Sequence, residues 1–270
     1  MLQHRSMAFK LSLLILSLSG LIFAAAFSYN YYVSRKLLLR STRANVEALS
    51  SATVGKIDSI LGAAAKIPEN LASSLESTEY TEAELEKLLR STVEKNPEIY
   101  GSCIGFEPNS FRKDLEYYAP YAWRENGNVR FNNIGSKKYQ YFYWDWYQIP
   151  RHLGRPMWTE PYFDEGGGNI IMSTCSVPFY RTVDGKRLFR GIVTVDISLS
   201  WLQKMVSSIK LYDTGFAYVI SRNGTMVTHP VPKYIMNESL FSLAEENGDP
   251  RLRNIGRKMI RGESGFISGV

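Results

Sequence analysis

Two cysteines and three histidines in 270 residues leave this chain little with which to hold a metal ion. His4, His152 and His229 stand far apart, and no cysteine joins them at ligand spacing, so neither a metal nor another cofactor is expected. His229, before Pro230, reads as a turn residue, and His152 as part of a solvent-facing loop. No nucleophile elbow, Walker loop or zinc-protease motif occurs. Glu160 and Asp164 are a pair of carboxylates, but nothing sets their separation or raises one pKa as glycoside hydrolysis requires. Catalysis within these residues is therefore not expected. Basic residues exceed acidic ones by 32 to 26, yet they are scattered and form no recognition helix, which argues against nucleic acid as a partner. Cys103 and Cys175 lie in unrelated apolar runs and read as buried free thiols, with pairing in an oxidising compartment left open.

Charge is missing altogether from Leu11 to Ser34. Such a stretch exceeds the roughly 20 apolar residues that a spanning helix needs. Ala24-Ala25-Ala26 imitates a signal-peptide cleavage site, but a cleaved leader would have a shorter apolar core. Tyr29, Tyr31 and Tyr32, followed by Arg35 and Lys36, look like an interfacial belt. Residues 11–34 are thus expected to anchor the chain in a membrane, behind a short segment 1–10.

Beyond the anchor, Thr53, Ile57, Ile60, Ala64, Ile67, Leu71 and Leu75 recur at threes and fours. This predicts one helix over 35–75, on the order of 60 Å long, with Pro68 kinking it near its end. Its apolar stripe can cover its own domain, pair with a second copy, or do both in different stretches. Thr81 and Glu84 form a capping-box signature for a second helix through Val93, which Asn96-Pro97 ends. From Ile99 the period falls to two. Strands are expected at IYGSCIGFEP, YYAPYAW and VRFNN, the last two joined by Asn126-Gly127. An aromatic loop follows to about Tyr162. Two long strands come next, IIMSTCSVPFY and LFRGIVTVDI, turned at Asp184-Gly185, and then a helix over SWLQKMVSSI. This is an α+β pattern of antiparallel sheet with helices packed on it, a PAS-like module over 76–211. A second, smaller PAS-like module begins at Tyr212, with a hairpin tipped by Asn223-Gly224, a helix over DPRLRNIGRKMI and the opening of another strand in GESGFISGV. Ending there leaves that module incomplete, so a second span and an output domain are expected beyond Val270.

Anchor, stalk helix, larger module and smaller module together resemble a double Cache (dCache) extracytoplasmic sensor. The resemblance is carried by Trp146-Tyr147, by TEPYFDEGGGNIIMSTCSVPF and by GIVTVDISL, and it covers roughly Arg35 to Val270. It implies a bacterial transmembrane signal transducer of the cytoplasmic (inner) membrane whose larger, membrane-distal module recognises a small molecule outside the cell. The output it implies is a serine phosphatase of the SpoIIE type, a histidine kinase, a diguanylate cyclase or a chemotaxis signalling domain. Orientation rests on this resemblance, because the charges flanking the anchor do not settle it for a long translocated domain. A homodimer paired through the apolar stripe of the stalk helix is expected as well. In the amino-acid-binding branch of the family, Tyr139, Trp146, Tyr147, Tyr162, Asp164 and Asp196 all have counterparts. The Arg that would hold a ligand carboxylate falls at Trp144.

The residues themselves point the same way. Tyr139 to Tyr147 places seven aromatic rings in nine positions, with Asp145 among them. Aromatic faces beside carboxylates suit a cationic amine. With no Arg at position 144, a small amine or amino-acid-like ligand is expected, with Tyr139, Trp144, Asp145, Trp146, Tyr147, Tyr162, Asp164 and Asp196 as candidate contacts. Other readings stand beside this one. The rings can be core or subunit contact, Asp196 can cap the helix after it, and Asp164 and Glu165 can be turn residues before Gly166-Gly167-Gly168. The competing function is a membrane-anchored interaction module that binds a periplasmic protein.

Overall fold

The computed structural model describes residues 7–267. They divide into two compact units: one runs through Gly55 and resumes at Phe266, and the other is Lys56–Gly265. The first unit is helical through its N-terminal part and carries the apolar stretch, whose side chains from Leu11 to Phe27 are largely exposed. By length and composition this stretch can cross a membrane, with a mean hydropathy of 2.2 over its most apolar window.

Helix α1 extends from Met7 to Ser77 without a break at Pro68. Its last turns bury Ala64, Pro68, Leu71, Ala72 and Leu75. Helix α2 (Glu82–Lys95) starts at Thr81, where the side-chain oxygen accepts from the Glu84 N–H and Glu84 Oε2 accepts from the Thr81 N–H at 2.8 Å. Strands β1 (Gly101–Phe106), β2 (Pro120–Glu125) and β3 (Asn128–Asn133) follow, with positive φ at Asn126 and Gly127 forming the turn between the last two. The aromatic segment expected as a loop is in fact ordered. Tyr141–Tyr143 make a 3-10 turn, and α3 (Asp145–Leu153) follows, ending at Gly154 in the left-handed region. The apolar faces of Trp146, Tyr147 and Pro150 supply the reason, since all three are buried by packing that no local pattern announces. Short strands β4 (Met157–Trp158) and β5 (Tyr162–Phe163) precede the long pair β6 (Ile171–Val183) and β7 (Lys186–Ser198), and α4 (Leu199–Ser207) follows.

These strands make one antiparallel sheet in the order β3-β2-β1-β7-β6-β4, with β5 also on β6. Successive side chains alternate between its faces. Ile104, Phe106, Val177, Phe179 and Val193 pack on α2 and the end of α1, and Cys175, Val195 and Ile197 pack around Ala64 of α1. Cys103, Tyr121 and Ile192 face the other way, toward Tyr139, Tyr141, Trp146 and Tyr147. Arg124 on β2 ties the sheet to α2, donating to the carbonyls of Ile99 (3.0 Å), Asn96 (3.2 Å) and Val93, which α2 leaves open at its C-terminal end.

The smaller part contains β8 (Val219–Ile220) and β9 (Met226–Thr228), paired antiparallel about a turn at Asn223-Gly224, then α5 (Leu240–Glu246) and α6 (Pro250–Ile260). The expected strand at GESGFISGV does not form over residues 263–267, and its remainder lies outside the described residues.

The pleat also decides the cysteines. Cys103 sits opposite Thr194, and Cys175 opposite Val195, the next residue of β7, so the two thiols point to opposite faces of the sheet. Both are free and buried, and burial pushes the Cys175 thiol up to about 12. Reducing agent should therefore leave Tm unchanged, and a thiol reagent should count two cysteines only after denaturation. A reductant-sensitive Tm would contradict this arrangement.

Candidate functional site

On the aromatic face, small residues in β1 make room for large ones from elsewhere. A side chain at Gly105 would press on the Trp146 ring at 3.1 Å, and one at Gly101 would overlap the Tyr121 hydroxyl. Directly across from Gly101, in the antiparallel register, is Asp196 on β7. It is 4% exposed. Thr174, its cross-strand partner on β6, donates its hydroxyl to Asp196 Oδ1 at 2.8 Å. Because that proton is committed, the 2.9 Å contact between Tyr162 and Thr174 must be a donation from the Tyr162 hydroxyl.

The second carboxylate, Asp164, is buried at the end of β5. Its Oδ1 accepts from the Tyr139 hydroxyl at 2.7 Å, and its Oδ2 from the Gly168 N–H at 2.7 Å. The three glycines follow from this closeness. Gly166 has a φ of 81°, a side chain at Gly167 would overlap the Asp164 carboxylate, and one at Gly168 would collide with Met172 and crowd Tyr100 and Tyr121. Tyr100 holds the segment from outside, donating to the Gly168 carbonyl at 2.9 Å.

The electrostatics are lopsided. Among the described residues, no lysine or arginine pairs with Asp164 or Asp196. Burial is the largest influence on both. It raises the Asp196 carboxyl to about 7, against the hydrogen bonds of Thr174 and Tyr121 and with the help of the Asp164 charge. Asp164 is raised more modestly, since the Gly168 N–H and the Tyr139 hydroxyl both favour its ionised form. Burial pushes the hydroxyls of Tyr139 and Tyr162 well up, helped by Asp164 at Tyr139 and by both carboxylates at Tyr162, so both remain donors, and Tyr100 is raised to about 12. Outside this interior a cleft of about 680 Å³ opens, lined by Asn133, Ser136, Lys138, Tyr139, Trp144 and Glu165 among others. Trp144 stacks on Tyr139 with centroids 5.7 Å apart, and Tyr139 separates the cleft from Asp164.

Residues 85–204 match the model of a methyl-accepting chemotaxis protein-like first PDC sensor domain. The sheet domain resembles sensor domains of the Cache type. The chain is 28% identical over 155 residues to the methyl-accepting chemotaxis protein TlpQ of Pseudomonas aeruginosa, covering 48% of this chain and 21% of TlpQ. It spans only about a fifth of that relative. Among solved structures it resembles the extracellular domain of the putative histidine kinase mmHK1S-Z3, with 26% identity, a TM-score of 0.65 and 81% of each chain covered. It shares its fold with the ligand-binding domain of the Pseudomonas aeruginosa amino acid chemoreceptor PctC, solved in complex with GABA (19% identity, TM-score 0.54, covering 73% and 80%). Together with the apolar stretch in α1, these matches point to a membrane-anchored protein with an extracellular sensor domain of the histidine kinase and chemoreceptor type.

The sensor domain gathers some of the expected contacts and disperses others. Tyr139, Tyr162, Asp164 and Asp196 join one buried polar cluster, and Trp144 lines the cleft outside it. Trp146 backs Tyr139 from the core. Tyr147 does not face the acids: its hydroxyl donates to Glu107 at 2.8 Å, beside the Arg151–Glu107 ion pair. Asp145 opens α3 with an exposed side chain. It serves the helix N-terminus, where negative charge is favourable. Asp196 does not cap α4, whose N-cap is Ser198. Tyr100, Tyr121 and Thr174 were not singled out from sequence. Their signal was the alternation of β2 and β6, which sets Tyr121 and Thr174 on the face of Asp196.

An acid whose folded pKa is raised opposes folding once ionised. The cost is absent below the unfolded pKa, grows as pH rises toward the folded value and is complete above it. Asp196→Asn should therefore raise the Tm of the empty domain by several degrees at about pH 8 and by much less at about pH 4.5. Equal shifts at both would mean that the carboxylate charge is not what the fold opposes.

Proposed function

We propose that this domain senses a small amine or amino-acid-like molecule whose ammonium group lies against Asp196 and Asp164. The observation that carries the reading is the pair of buried carboxylates with no cation beside them among the described residues. Burying an ionised carboxylate without a partner costs several kcal/mol, which a ligand cation would offset. Tyr139 and Tyr162 add ring faces that favour the same charge. Trp144 stands where the family resemblance would place a carboxylate-holding Arg, and Trp offers a single N–H, so an amine is favoured over an ordinary α-amino acid. Lys138 and Ser136 at the cleft mouth supply donors for a polar far end.

Transmission follows from the pleat. Val195 and Ile197, the neighbours of Asp196 on β7, face α1 around Ala64 on the other side of the sheet. A ligand that draws on Asp196 therefore acts one residue from the helix contact. We read α1 as the stalk of a homodimer in a bacterial inner membrane, feeding an output domain inside the cell. The signal requires unequal affinity for two states of that helix.

A thermal-shift screen of amines, amino acids and small carboxylates against the purified chain tests this. Amines at 100 times their dissociation constant should add about 2.7 kcal/mol, or several degrees, and Asp196→Ala should abolish the shift. Protons compete with the ammonium for Asp196, so affinity should fall about tenfold for each pH unit below about 7. No shift with any class from a folded protein would favour a module that binds a periplasmic protein.

A further inference from the structure

One buried hydroxyl at the centre of this cluster has an acceptor beside it but no donor. The Tyr121 hydroxyl is enclosed, with the residue 1% exposed; it faces the Asp196 carboxylate, and among the described residues nothing donates to its oxygen. A hydroxyl oxygen left without a donor inside a core is costly to keep, so its retention calls for a donor that arrives from outside. Its position says which. It occupies the space that a side chain at Gly101 would fill, and Gly101 is the cross-strand partner of Asp196. On its far side is Gly168, where a side chain would approach the hydroxyl to 3.2 Å. Apart from the second Asp196 oxygen, which faces the hydroxyl, the other polar atoms around it are already engaged. Thr174 takes Asp196 Oδ1, Tyr139 and the Gly168 N–H take the two Asp164 oxygens, and Tyr162 is committed to Thr174.

We propose that Tyr121 contacts the ligand, accepting one N–H of the bound ammonium beside Asp196, so that the site selects amines bearing N–H bonds over quaternary ammonium ions. This rests on the amine reading of the site and goes beyond it in naming the substitution state of the nitrogen. A phenol can turn its own proton to the free side of the Asp196 carboxylate while its lone pair receives the ammonium. A trimethylated nitrogen has no proton to give and leaves the Tyr121 oxygen without a donor. Sites built to hydrogen-bond a ligand group reject analogues lacking it far more strongly than apolar pockets reject a methyl group.

The test is calorimetric titration of the full chain in detergent with n-butylamine and with its N-trimethyl analogue. The wild type should favour butylamine by at least about tenfold. Tyr121→Phe should lose about tenfold for butylamine and nothing for the analogue. Gly101→Ala, which crowds the hydroxyl from the strand side, should weaken butylamine binding as well. If Tyr121→Phe weakens both ligands equally or neither, the assignment to Tyr121 is overturned while the amine reading stands. If the wild type binds neither compound, the amine reading fails and the inference with it.

Discussion

Two carboxylates buried without a cation are the constraint around which this sensor domain is arranged. Asp196 lies in the middle of an antiparallel sheet, where a charge is costly unless hydrogen bonds and an opposite charge compensate it. The domain supplies hydrogen bonds from Thr174, Tyr139 and the Gly168 N–H, but among the described residues no positive partner. The two carboxylates are thus held in an electrostatically unfavourable setting by the packing around them.

The packing that enforces it is strong elsewhere. One face of the sheet is sealed by α2 and the end of α1 through Leu71, Leu85, Leu89, Phe106 and Val193. Arg190, nearly buried, forms a double contact with Glu79 at 2.9 and 2.5 Å, tying β7 to the chain between α1 and α2. Glu76 on α1 accepts from the Tyr180 N–H at 2.9 Å, tying β6 to the same helix end. The helix that resembles a stalk is therefore fastened to the two strands that carry Thr174 and Asp196. Small shifts of those strands cannot be absorbed by slack between sheet and helix.

The aromatic run Tyr139–Tyr147 shows why composition alone overstates a site. Its rings divide by direction. Tyr139 reaches Asp164, Tyr141 donates to the Phe106 carbonyl at 2.5 Å, and Tyr147 reaches Glu107. Tyr143 is exposed. Only Tyr139 and Trp144 border the cleft. Identity and spacing were legible, but the order of the segment was not. Nothing local distinguishes a loop from a helix that Trp146, Tyr147 and Pro150 stabilise by burial against a distant sheet.

The sequence by itself determined the local elements and the likeness to Cache-type sensors. Period-two runs marked the strands, Asn126-Gly127 and Asp184-Gly185 marked their turns, Thr81 and Glu84 marked the start of α2, and the charge-free stretch marked the anchor. Each depends on residues within a few positions of one another, so backbone geometry and side-chain period suffice to reveal it. Only the tertiary structure decided which acids share an interior, that Cys103 and Cys175 face apart, and that Tyr121 reaches Asp196 through the gap at Gly101. Those facts depend on register between strands far apart in the chain. Shifting a strand by one residue turns every side chain to the other face, so no reading of residue types along a single segment can recover them.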